Sequence, residues 1–306
     1  EVDVRISVVP TAEGERCVMR LLDKSARVYE LESIGLDEQN LATLNHYVKF
    51  PHGIILVTGP TGSGKTTTLY GSLTAISTGD KNILTIEDPV EYQLDGISQV
   101  QVNTKKGLTF SAGLRSFLRQ DPDVMMVGEI RDVETAEIAI RAAITGHLVF
   151  STVHTNDAPS TVTRLIDLGL EPYLVSSSLV LVVAQRLVRC LCDSCHEWVI
   201  PDEHQLAQLR AIGINASQLK DGKMAVANGC AECFHSGFSG RTALYELMPM
   251  TDTLRELVMD NVSATVLKRA AVEGGMRTLR SDGNLKVIDG ITSPDEVLRV
   301  TQLDLT

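Results

Sequence analysis

One run constrains this chain more than any other: Gly59-Pro60-Thr61-Gly62-Ser63-Gly64-Lys65-Thr66. It follows Gly53-Ile54-Ile55-Leu56-Val57-Thr58, a short apolar stretch rich in β-branched residues. It leads into Thr67-Thr68-Leu69-Tyr70, which suits a helix. Strand, glycine-rich loop and helix in that order form the setting of a phosphate-binding loop. The glycines let backbone N–H groups converge on phosphate oxygens, and the helix N-terminus adds its positive dipole end. In such a loop Lys65 neutralises the β- and γ-phosphates, and the Thr66 hydroxyl takes a position on Mg²⁺. A chance glycine turn would not carry the full spacing with both flanks, so a nucleoside triphosphate site is expected.

With 306 residues and 43% hydrophobic content, the chain can bury a large core and is expected to hold more than one unit. A formal charge of −11 argues against a general nucleic-acid binder, which leaves a basic footprint, but leaves room for a local basic patch. The longest apolar stretches, such as Leu179–Ala184, are too short to cross a bilayer. The first residue is Glu1, and no signal-like segment follows, so a fragment whose N-terminus lies upstream is expected. Of the six cysteines, four fall in a paired pattern, which suits a metal site in a reducing compartment better than a disulfide framework.

Four regions are expected along the chain. Residues 1–32 alternate over Val2-Asp3-Val4-Arg5-Ile6-Ser7-Val8 and continue through Arg16–Leu22, as the end of a β-containing domain and a linker would. In residues 33–187, strands are predicted at Ile54–Thr58, Ile83–Glu87, Val124–Val127 and Leu148–Thr152. Helices are predicted at Ser111–Gln120, Val133–Thr145 and Ala158–Leu168. This alternation implies an α/β fold with a mainly parallel sheet covered on both faces. Residues 188–245 hold the paired cysteines and little periodicity. Residues 246–306 read as helical, with Ser293-Pro294-Asp295-Glu296 as a capping box.

Acidic residues stand at two predicted strand ends. Thr85-Ile86-Glu87-Asp88-Pro89-Val90-Glu91-Tyr92 turns at Pro89, which puts its acids at the carboxyl edge of the sheet, where open α/β sheets bind ligands. A solvated turn is the plainer alternative. In Asp121–Asp132 an apolar strand ends at Gly128-Glu129, similar to the second NTPase motif with glutamate for its usual aspartate. A carboxylate there can hold Mg²⁺ or its water shell. His147 and His154 flank one short strand, which suits contact with phosphate or with a neighbouring subunit, although a lone histidine is usually structural.

Cys192-Asp193-Ser194-Cys195 and Cys230-Ala231-Glu232-Cys233 can supply four thiolates to a tetrahedral Zn²⁺ site, enough to fold a small lobe with little core. A redox CxxC is the rival reading, and two copies flanking a polar insert favour metal. His196 or His235 replacing one cysteine, or Cys190 replacing Cys192, are lesser arrangements. Cys17 is expected to be a buried small apolar residue.

Taken in order, these motifs resemble the secretion-superfamily ATPases of type II secretion and type IV pilus assembly, and the resemblance runs from Arg5 to the last helix. It implies a RecA-like P-loop NTPase core in a homo-hexameric ring, preceded by the end of a β-containing domain and followed by a small zinc lobe and C-terminal helices. Gly59–Thr67 is then the loop for ATP and Mg²⁺, and Ile86–Glu91 lies in an acidic box. Gly128-Glu129 is an atypical Walker B end, and His147 and His154 belong to a histidine box. Glu91 becomes the general base that orients water, Glu129 assists through the metal, and Glu87 is the alternative base. Arg5 and Arg20 would face the nucleotide as arginine fingers, with Arg115, Arg119 and Arg131 near the subunit boundary.

Secretion and pilus-assembly ATPases of this group carry a tetracysteine metal domain that retraction ATPases lack. This chain departs from them at Cys190, where a basic residue is usual. The implied activity is ATP hydrolysis by a cytoplasmic ring, peripheral to a bacterial inner membrane. The ring would move a membrane platform protein and so build a pilin-like filament, touching the membrane only through platform and docking partners. Arg16–Lys24 and Gln185–Val188 look closest to the type II secretion branch. A pilus-assembly or competence ATPase is the alternative, and no nucleic-acid partner is expected.

Overall fold

The computed structural model describes residues 2–23 and 29–301. It begins with a hairpin, β1 (Val2–Thr11) and β2 (Gly14–Asp23), paired from Val2 opposite Asp23 to Thr11 opposite Gly14. Cys17 is exposed on this ribbon, which corrects the expectation of a buried apolar side chain. The hairpin forms a two-stranded sheet of its own, so no further strand among the described residues flanks Cys17. The linker expected before residue 33 falls partly outside the described residues. The first α-helix, α1 (Glu38–Tyr47), starts at Asp37, whose carboxylate accepts the Asn40 amide proton at 2.9 Å.

The chain then alternates strand and helix. The strands are β3 (Gly53–Thr58), β4 (Ile83–Glu87), β5 (Ser98–Gln101), β6 (Val124–Val127), β7 (Leu148–Val153) and β8 (Leu179–Leu191). The helices between them are α2 (Lys65–Ile76), α3 (Phe110–Phe117), α4 (Val133–Ile144), α5 (Ala158–Asp167) and α6 (Pro172–Ser178). Thr109, Asp132 and Asp157 start α3, α4 and α5 by accepting an amide proton from the first turn, as N-caps do. These strands are mutually parallel, and β3 lies between β7 and β8. Both faces are covered, as a parallel sheet requires. Ile54 and Leu56 join the core that includes Leu114, Ala139 and Val162, while Ile55 and Val57 join Leu69, Leu73 and Tyr245 on the other side.

Beyond β8 come β9 (Glu197–Val199), α7 (Glu203–Ile212) and β10 (Met224–Val226), and then β11 (Phe238–Pro249). The short β9 and β10 pair with each other. The long β11 returns antiparallel to β8 and completes a seven-stranded sheet of order β11-β8-β3-β7-β6-β4-β5. The expected boundaries after residues 187 and 245 therefore fall inside β8 and β11. Both strands belong to the central sheet, and residues 192–237 form an insertion between them. In that insertion Leu209, Ile212 and Met224 share a small core with Val287 and Val297. The last helices are α8 (Asp252–Met259), α9 (Ala264–Glu273), α10 (Leu279–Ile288) and α11 (Pro294–Val300).

Only half of the capping box expected at α11 forms. Ser293 Oγ accepts the Glu296 amide proton at 3.4 Å. The Glu296 carboxylate, 1% exposed, turns instead to the Arg189 amide at 2.9 Å, the Arg189 guanidinium at 2.8 Å and Arg299 Nη2 at 2.7 Å. Burial alone would raise this carboxyl, but the bonds from Arg299 and Arg189 prevail and pull it down to about 2. A depressed acid stabilises the fold above its unfolded value of about 4.3, and that contribution is lost as pH falls toward 2. Glu296→Gln is thus expected to cost about 1–3 kcal/mol at pH 7, with a difference from wild type that shrinks on acidification through this window. Urea unfolding at pH 7 and at several acidic values measures both effects.

Candidate functional site

At the carboxyl edge of β3, β4, β6 and β7 lies a cleft of about 830 Å³. Thr61–Thr67 line it on one side. Glu87, Asp88, Glu91, Glu129, Arg131 and His154 also line it, and Arg241 reaches it from β11. The phosphate loop passes from β3 into α2 as its sequence requires. Gly59 adopts a φ of +150°, and a Cβ there would lie 2.5 Å from the Gln185 carbonyl oxygen and 2.6 Å from Ser63 Oγ. Only glycine fits so close an approach. The Lys65 ammonium donates to the carbonyls of Gly59 at 2.8 Å and Pro60 at 3.1 Å. Burial lowers its pKa, while the Glu129 charge raises it and Arg186 lowers it further.

The three acids differ in their surroundings. Glu87 is 3% exposed and fully engaged, accepting from Tyr70 Oη, from Thr85 Oγ1 at 2.6 Å and from Gln99 Nε2 at 3.1 Å. Burial raises its pKa despite those donors. Glu91 is exposed at the cleft, and its backbone amide donates to Tyr70 Oη at 3.3 Å. Glu129 lies 2.5 Å from Arg131 Nη2 through one oxygen and 3.5 Å from His154 Nε2 through the other. The loop amides and Lys65 suit phosphate oxygens, and the oxygens of Thr66 and Glu129 suit a hard divalent cation.

His147 does not join this group. It precedes β7, and its Nδ1 lies 2.9 Å from the Ala142 carbonyl at the end of α4. Its backbone carbonyl accepts from Gly53 at the start of β3, on the edge of the sheet opposite the phosphate loop. Of the two histidines expected to meet phosphate or a neighbouring subunit, only His154 lines the cleft. Arg115 pairs with Glu134 at 2.6 Å on the exposed surface, and Arg119 does not line the cleft. Arg5 and Arg20 are opposite each other in the hairpin, but their side chains lie outside the described residues.

Sequence reasoning gave no site role to Gln185 and Arg186, a polar pair that interrupts the apolar run of β8. Both sit beneath the phosphate loop. Gln185 Oε1 accepts from Thr68 of α2 at 2.8 Å, and Arg186 donates to the Asn156 carbonyl at 2.7 Å, linking β8 to the segment after β7. That interruption was the readable signal. Arg241 carries no comparable local mark.

A second cluster lies in the insertion. The sulfurs of Cys192, Cys195, Cys230 and Cys233 all fall within 4.8 Å of one another. Cys192–Cys230 measures 4.0 Å, and Cys195–Cys233 and Cys230–Cys233 measure 3.8 Å. Four sulfurs about 2.3 Å from one tetrahedral ion stand about 3.8 Å apart, so the set fits a metal ion. Backbone amides of Gly229, Cys230 and Gly237 donate to these sulfurs at 3.1–3.3 Å, and the Cys230 amide leads in pulling the Cys233 thiol down to about 6. Cys190 and His235 are not in the cluster, and His196 Nδ1 lies 3.0 Å from the Cys192 carbonyl instead.

Residues 1–299 match the family described as "Type II/IV secretion system protein". The chain belongs to that family. It is 52% identical over 302 residues to the type II secretion system protein E of Pseudomonas aeruginosa, and 50% identical over 305 residues to the type IV pilus assembly ATPase PilB of Myxococcus xanthus. Each match covers 99% of this chain but only 59% and 53% of those relatives, so the chain spans little more than half their length. Among solved structures, the pilus retraction motor PilT with bound ADP superposes with a TM-score of 0.69 at 28% identity, covering 98% of this chain and 74% of PilT. The RecA-like fold expected from the motifs is thus the family fold.

Gly59 gives a direct test of the loop. Gly59→Ala is expected to weaken ATP binding by about tenfold or more, the scale of a 1–3 kcal/mol backbone strain, while the circular dichroism spectrum stays unchanged. Equilibrium binding of ATP measures it.

Proposed function

We propose that this chain is the ATP-hydrolysing portion of a type II secretion motor. It works as a hexameric ring on the cytoplasmic side of an inner membrane and moves a platform protein to assemble a pilin-like filament. One observation carries the enzymatic reading: a glycine-built phosphate loop, Lys65 and four carboxylates border a single cleft. The loop amides and Lys65 hold the β- and γ-phosphates, while Thr66 and Glu129 offer oxygens to Mg²⁺. When bound, Mg²⁺ offsets the charge of the transferred phosphoryl group. Glu91 is exposed at the cleft and orients the attacking water, whereas the oxygens of Glu87 are committed to three donors. His154 and Arg131 hold Glu129 in place.

The secretion branch rests on relatives named for type II secretion in several organisms, among them Vibrio cholerae at 50% identity. A pilus-assembly motor is the second reading, because the PilB relative stands at the same 50%. No helix among the described residues is long and apolar enough to cross a membrane. In this proposal the membrane is reached through platform and docking partners. The ring and its arginine contacts, including Arg5 and Arg20 from the preceding hairpin, belong to the same proposal.

Lys65→Ala is expected to abolish phosphate release and weaken ATP binding by about tenfold or more, because the phosphates lose their main cation. Glu91→Gln is expected to bind ATP within a few-fold of wild type yet turn over about 10²–10⁴ times more slowly, the usual worth of a positioned base. Steady-state phosphate release beside ATP binding separates the two. Wild-type turnover by Glu91→Gln would move the base elsewhere.

The four cysteines are assigned to one structural Zn²⁺ per chain. A zinc ion held by all four sulfurs would be fully coordinated, with no open position for chemistry. Elemental analysis should give about one zinc per chain. Cys195→Ser should lower that content and the stability of the insertion while ATP binding by the core survives. Less than about a tenth of a zinc per chain, with all four thiols reactive in the native protein, removes the assignment.

A further inference from the structure

Tyr70 lies on α2, the helix that begins at Lys65, and its side chain is fully buried. A phenol hydroxyl offers one proton and two lone pairs, and here all three are used. The proton goes to Glu87 Oε2. The lone pairs accept the Glu91 amide proton and a proton of Gln99 Nε2, each at 3.3 Å. Gln99 Nε2 shares its two protons among Tyr70 Oη, Glu87 Oε1 at 3.1 Å and the Tyr92 carbonyl at 3.1 Å, and Gln99 Oε1 accepts the Leu94 amide proton at 2.7 Å. The Tyr70 ring meets Tyr92 edge-on, with centroids 4.7 Å apart.

The direction of these bonds matters. An ionised Glu87 only accepts, so Tyr70 must donate to it, and this keeps a phenol lone pair for the Glu91 amide. A charge-assisted bond to a buried carboxylate also fixes the hydroxyl rotor, which in a surface tyrosine would turn freely. The Glu91 carboxylate takes no part in the network. Its backbone is tied down while its side chain stays at the cleft.

We propose that Tyr70 is a positioning residue for Glu91. Its hydroxyl, oriented by Glu87, holds the Glu91 backbone at the mouth of the cleft and fastens it to the helix that carries the phosphate loop. The distance between the phosphate loop and the water-orienting acid is then set by one phenol rather than by the turn after β4 alone. Glu87 serves this network as the acceptor that aims Tyr70. The proposal rests on the reading of Glu91 as the base.

The test is Tyr70→Phe in the intact protein, which removes one oxygen and keeps the ring. MgATP turnover, equilibrium ATP binding and amide hydrogen exchange over residues 88–92 are followed, with thermal unfolding as a control for the fold. The expected result is a fall in kcat of about tenfold with KM and ATP affinity within about twofold, the pattern of an interaction that matters only in the transition state. Exchange over residues 88–92 should quicken while exchange over residues 65–76 does not. Glu87→Gln keeps the side-chain volume but removes the charge that aims the phenol. It should repeat the pattern more weakly, and it is the deciding variant if Tyr70→Phe does not fold.

Wild-type kcat in these variants overturns the proposal. So does a kcat loss matched by weaker ATP binding, which marks a packing role, or a kcat loss with unchanged exchange over residues 88–92. Glu91→Gln, assayed alongside, separates the two layers. If it is inactive while Tyr70→Phe is unimpaired, only the positioning role falls. If Glu91→Gln turns over normally, the base assignment itself falls and takes the positioning role with it.

Discussion

The cleft depends on the parallel pairing of β3, β4, β6 and β7. Parallel strands send their carboxyl ends to the same edge, so the residues that follow Thr58, Glu87, Val127 and Val153 meet there. The phosphate loop, the acidic turn, Gly128-Glu129 and His154 are those residues. The same rule sends His147 to the opposite edge, because it precedes β7 rather than following it. A strand of six residues spans about 20 Å, too far for two histidines at its ends to share one phosphate. Parallel pairing also requires cover on both faces, which is why every residue of β3 and β7 is buried.

The features legible in the sequence were the local ones. β-branched apolar runs marked β3, β4, β6 and β7, and their helices fell within a few residues of expectation because Thr109, Asp132 and Asp157 are short polar caps. The paired cysteines were legible because two residues between ligands already fit a metal. The missed strands have physical reasons. β5 is a short edge strand of Ser98-Gln99-Val100-Gln101, half of it exposed, with no apolar face to announce it. β11 pairs with β8 across an insertion, so no spacing along the chain reveals their register.

Within the site, the motifs identified which residues matter but not how each is held. Glu87 and Glu91 are both acids four positions apart, and only burial separates them: one is enclosed by three donors and the other faces the cleft. Tyr70 and Gln99 hold that distinction in place, yet neither lies in a motif that reads as chemistry. Arg186 was at least visible as a charge in an apolar strand. Arg241 reaches the cleft from β11, past a register shift against β8, and such a placement exists only once the sheet is closed.

The strand β8 joins the parts that the sequence suggested were separate. It is laddered to β3 on one side and β11 on the other, so it cannot shift without disturbing both. Along its length it presents Gln185 and Arg186 to the phosphate loop and Arg189 to Glu296 of α11, and then delivers Cys192 to the cysteine cluster. At about 3.3 Å per residue, Gln185 and Cys192 stand about 23 Å apart on one rigid segment. The insertion leaves at Cys192 and returns just before β11, and its two ends are already joined by the Cys192 amide to the Gly237 carbonyl at 3.0 Å. The four sulfurs lie at this neck. A metal held there would close the insertion where it meets the sheet and limit the freedom of the lobe, without entering the paired strands that build the cleft.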